Sequence, residues 1–95
     1  MSRDASQRVG RNVNRIRKSR GLTLAQLSEL TSLAGKKILL SGLSKIEIGL
    51  RRVWVEDLDV LTKALDVTAA ELLEDYDWYG TTYANAVDAR KAARA

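Results

Sequence analysis

Apolar residues recur along this chain at helical intervals in five separate runs, and no strand-like alternation persists anywhere. Val9, Val13 and Ile16 stand at i, i+4 and i+7, which predicts a first helix over about Asp4 to Ser19, with residues 1–3 loose. Gly10 lies inside that stripe and hints at close packing; Gly21 stops the helix. Leu24, Leu27 and Leu30 predict a second helix over about Leu24 to Leu33, opened by Thr23 and Gln26 in the capping-box pattern. A link follows from Ala34 to Leu40, with Ile38 or Leu39 pinned on the core and Lys36 and Lys37 at its tip. Leu43 and Ile46 predict a third helix over about Ser41 to Ile48, closed by Gly49. A fourth spans about Val55 to Leu65, with Leu58, Leu61 and Leu65 inward and Glu56, Asp57 and Asp59 outward. A fifth opens at Thr68, with Glu71 completing another capping box and Leu72, Leu73 and Val67 on the core. The fold class read from this pattern is all-α.

The polar positions carry the candidate chemistry. Ser41, Ser44, Lys45 and Ile48 share the face of the third helix opposite Leu43 and Ile46, and Arg51 and Arg52 follow at once. Compact polar side chains on a helix face, with cations beside it, suit base edges and phosphates of a DNA major groove. The same pattern also fits a solvated helix face beside a charged loop. Lys36 and Lys37 read equally as a phosphate clamp or as an exposed loop.

Charge sharpens the picture. The net charge is +4, but residues 1–54 hold twelve Lys/Arg against three Asp/Glu, and residues 55–77 hold one lysine against eight acids. A chain with one basic and one acidic half is electrostatically oriented, and its basic half suits a polyanion. Cysteine and histidine are both absent, which removes disulfides, thiolate chemistry, the commonest general base and the commonest metal ligand. No run has metal-loop or phosphate-loop spacing, so the sequence predicts no enzyme, no cofactor, no metal and no small-molecule ligand. With no long apolar run and no signal-peptide pattern, it predicts a soluble, cytoplasmic, nucleoid-associated protein without a membrane partner.

Residues 76–95 differ from the rest. Four of the five aromatic residues, Tyr76, Trp78, Tyr79 and Tyr83, fall within eight positions, and an alanine-rich helical run follows. Tyr83 and Val87 share one stripe of that run, too thin to be stable alone. This tail is read as a dimer interface, the alternative being that its aromatics pack back on the fourth and fifth helices.

The runs RIRKSRGLTLAQLSELT, LSKIEIGLRRV and EDLDVLTKALDVTAAELL, in that order, resemble the Cro/CI-type helix-turn-helix family of prokaryotic and phage regulators, over about Val9 to Leu73. The longer link and basic turn look similar to regulators of actinobacteria and their phages. The resemblance implies a five-helix lambda repressor-like domain at residues 1–75 that binds double-stranded operator DNA as a homodimer, the third helix entering the major groove. It implies that Thr23 contacts phosphate, that Leu40, Ser41 and Lys45 fall at base-reading positions with Ser44 beside them, and that Arg51 and Arg52 lie in the loop following the strand or minor groove. Arg17 and Glu47 match a structural pair tying the first helix to the third. Three features depart from the pattern: the long link, Ile48 before the glycine, and Trp54 at a position where a small capping residue is common. Core packing is the preferred reading of Leu40, with a thymine methyl as the other. The function implied is a transcriptional regulator, a repressor by promoter occlusion. The alternative is an antitoxin-type protein whose tail binds a toxin while the same domain autoregulates.

Overall fold

The structure is a computed structural model, and it describes residues 1–75; the expected tail interface of Tyr76, Trp78, Tyr79, Tyr83 and Val87 lies outside the described residues. Five helices follow one another, α1 (Arg3–Ser19), α2 (Leu24–Leu33), α3 (Leu40–Glu47), α4 (Val55–Leu65) and α5 (Ala69–Leu73), with no strand among the described residues. No helix among them is long and apolar enough to cross a membrane.

Helix α1 is the central element. It packs against α3, α5 and α4, while α2 packs against α3 and α4. Val9, Val13 and Ile16 face inward as their spacing predicts and meet Leu27, Leu43, Ile46, Leu61, Leu65 and Leu72 in one core. Gly10 sits where α1 crosses α3: a Cβ there would overlap the carbonyl oxygen of Ile46, so only glycine permits this approach. The N-terminus is not loose. Ser2 Oγ accepts from Ala5 N at 3.1 Å and caps α1, and Met1 packs against the core.

The inner line of α2 differs from the expected Leu24, Leu27 and Leu30. Leu27, Ser28 and Thr31 are buried, whereas Leu24 and Leu30 are only partly so. The spacing 24, 27, 28, 31 follows one helix face more closely than 24, 27, 30. The two buried hydroxyls serve the link. Ser28 Oγ donates to the Ile38 carbonyl at 2.7 Å, and Ile38 N donates to Thr31 Oγ1 at 2.9 Å. Both backbone groups of Ile38 are thereby satisfied inside the protein, as a buried backbone requires. Ile38, not Leu39, is the pinned residue: it is 2% exposed against 64% for Leu39.

Helix α3 begins at Leu40 and ends at Glu47, one residue earlier at each end than its pattern predicts, because Leu39 is extended and takes the N-cap position. Helix α5 is fastened from α1. Asn12 Nδ2 donates to the carbonyls of Leu72 at 2.8 Å and Glu74 at 2.7 Å, and Arg8 Nη1 reaches that of Leu73 at 3.4 Å. Thr68 Oγ1 caps α5 by accepting from Glu71 N.

Candidate nucleic-acid interface

Burial of Leu43, Ile46 and Gly42 orients α3. Its opposite face carries Ser41, Lys45 and Ile48, all exposed, with Ser44 partly exposed. Leu40 is 48% exposed, so it does not pack in the core; at the first turn of α3 it stands beside Ser41 on the outer surface. Leu39, Ile48 and Leu50 are exposed as well, which leaves apolar side chains interspersed with the polar ones. Among the described residues, Lys45 and Arg52 have no acidic partner.

A buried ion pair locks this face to the rest of the molecule. Arg17 Nε donates to Glu47 Oε2 at 2.7 Å and Arg17 Nη2 to Glu47 Oε1 at 3.0 Å, the two-pronged geometry that holds a carboxylate most firmly. The side chains are 11% and 5% exposed. Asn14 Nδ2 adds a third bond to Glu47 Oε1, and Arg17 Nη1 donates to the Leu22 carbonyl, so the pair joins α1, α3 and the turn before α2. The hydrogen bond to Glu47, aided by its charge and opposed by desolvation, raises the Arg17 pKa above its ordinary value. The sign follows: a raised pKa stabilises the fold at every pH below the ordinary arginine range, and that stabilisation is lost only above it.

Thr23 is a working cap. Its Oγ1 accepts from Gln26 N at 3.0 Å, and Gln26 Oε1 accepts from Thr23 N at 2.8 Å. Capping uses an oxygen lone pair and leaves the exposed hydroxyl proton able to bond a phosphate oxygen.

The other cations are arranged around a residue expected on the surface. Asp57 is fully buried, where the acidic run Glu56, Asp57, Asp59 suggested three outward carboxylates. Its Oδ1 accepts from Lys36 Nζ at 3.1 Å, and its Oδ2 from Arg51 Nη2 at 3.3 Å and Trp54 N at 3.1 Å. Trp54 therefore serves as N-cap of α4 with its backbone alone, the side chain of Asp57 reaching back to satisfy it. Lys36 and Arg51 remain 47% and 33% exposed. Lys37 pairs instead with Glu29 at 3.0 Å. An open cleft between the link and α3 is lined by Lys36, Lys37, Ser41, Lys45 and Arg51, with Asp57 behind. The fold thus brings six of the eight sequence-predicted interface residues together: Lys36, Lys37, Ser41, Lys45 and Arg51 around the cleft, with Ser44 next along α3. Thr23 stands at the start of α2, and Arg52 adjoins a second hollow with Arg3, Ser6, Gly49, Leu50 and Arg51.

Asp57 is the residue that reading the sequence missed. Nothing local marks it: Gln26 and Glu71, which stand three positions after the N-caps of α2 and α5, stay exposed. Compared with known proteins, the chain matches no family model, no curated protein and no solved structure.

Proposed function

We propose that this protein is a sequence-specific double-stranded DNA-binding transcriptional regulator of the lambda repressor-like helix-turn-helix kind, a repressor that occupies its operator as a homodimer. In this reading α3 enters the major groove, α2 lies across the backbone, Ser44 and Lys45 meet base edges, and Thr23, Arg51 and Arg52 meet phosphates. One observation carries it. The outward face of α3 offers Ser41, Ser44 and Lys45, and cations from both flanking loops converge beside it on one cleft. The acidic residues Glu56, Asp59, Asp66, Glu71 and Asp75 of the α4–α5 region stay exposed, so a polyanion is favoured at the α3 side of the chain and disfavoured there.

The experiment is selection of bound sequences from random duplex DNA, followed by titration of the winner at several salt concentrations. A palindromic consensus is expected, with affinity falling by orders of magnitude as salt rises. No enrichment, or a flat salt dependence, overturns the reading. Dimerisation through residues 76–95 is tested on a chain ending at Asp77. Sedimentation should show it as a monomer where the full-length chain is a dimer, and it should bind the palindrome more weakly, since two reading helices about 34 Å apart are no longer held on one DNA face.

A further inference from the structure

Asp57 does more than cap α4. A buried carboxylate facing two partly exposed cations fixes where those cations point. Arg51 offers five N–H groups in a rigid fork and Lys36 offers three; each gives one to Asp57 and keeps the rest. The route Arg51 takes is also built in. Its guanidinium lies across Gly42 of α3, where a Cβ would collide with Nη1. Lys36 comes from the link before α3, whose Ile38 is clamped by Ser28 and Thr31. The two cations come from the segments before and after α3, and they line one cleft with Lys37, Ser41 and Lys45.

Resting on the DNA-binding reading, we propose that Asp57 is a positioning residue: from inside the fold it orients Lys36 and Arg51 so that the cleft receives one phosphodiester group of the DNA backbone. The carboxylate lowers the net charge of the cluster, so it contributes to register rather than to raw attraction. Ordered cations that meet a phosphate at one point hold α3 in one alignment on the duplex, and base discrimination depends on that alignment. Freed from Asp57, the same cations attract any duplex and align none.

The test uses the full-length protein, the selected duplex, a scrambled duplex and a series of selected duplexes each carrying one neutral methylphosphonate. For the natural protein, neutralising one particular phosphate should weaken binding about tenfold, the loss of a charge-assisted contact. Asp57→Asn keeps an acceptor for Trp54 N but removes the charge. It should bind the scrambled duplex more tightly, show a steeper salt dependence, and lose both its preference for the selected duplex and its sensitivity at that phosphate. Gly42→Ala changes no charge and favours the helix, yet displaces the Arg51 guanidinium. It should lose preference and phosphate sensitivity without a change in salt slope, and it carries the test alone if Asp57→Asn fails to fold. A merely structural role would weaken binding alike at every modified duplex and leave the preference intact; that result overturns the proposal while the DNA-binding reading stands. A natural protein that binds neither duplex in a salt-dependent way overturns both.

Discussion

Among the described residues two buried carboxylates, Glu47 and Asp57, hold cations, and they do different work. Glu47 keeps its partners inside: Arg17 is 11% exposed, and Asn14 completes the site. Asp57 is buried more deeply, at 0%, yet its partners Lys36 and Arg51 reach solvent. The first arrangement is closed and joins helices; the second is open and ends in a charged cleft. A closed pair is costly to break, because removing one member strands the other away from water. An open cluster is cheaper to break, because water takes over the exposed cations.

The contrast has consequences of graded size. Arg17→Ala and Glu47→Ala should each destabilise the fold by roughly 3–5 kcal/mol, read as thermal melts. Melting like that of the natural protein would break the comparison at its closed end. Thr31→Val keeps the volume but leaves the Ile38 N–H without its acceptor, at a cost of about 1–3 kcal/mol. Hydrogen exchange should show the Ile38 amide opening while amides around Glu47 stay protected, which separates the link from the closed pair. Asp57→Ala should cost only about 1–2 kcal/mol, one capping bond plus two screened ion pairs, despite complete burial. A loss as large as that of Glu47→Ala would erase the distinction between open and closed. Lys45→Ala should leave melting unchanged, since Lys45 is exposed and, among the described residues, without an acidic partner. On the proposed reading it should weaken binding by about 1–3 kcal/mol and relax preference at one base position, whereas Arg52→Ala should weaken all duplexes alike. Uniform loss from Lys45→Ala would move the reading face elsewhere on the molecule.

The sequence by itself determined the local elements. The stripe Val9, Val13, Ile16, the capping box of α2 and the Thr68 N-cap of α5 depend on neighbours three or four positions away and stand where their spacing predicts, although at α5 only the Thr68 half of the expected box is made. The outward face of α3 was legible for the same reason, as the complement of Leu43 and Ile46. The Arg17–Glu47 pair was legible only through a resemblance, since nothing local joins residues thirty positions apart. Tertiary structure decided the rest. Asp57 has the same local pattern as its exposed neighbours Glu56 and Asp59, and it turned inward because a lysine on the α2–α3 link and an arginine after α3 arrived on its side of α4. Asn12 likewise became the fastening of α5, and Ser28 and Thr31 the clamp on Ile38, once the helices docked. Such roles belong to polar groups that must find partners when buried. Which partners reach them is set by how helices cross, and that crossing is a property of the packed chain, not of any short stretch of it.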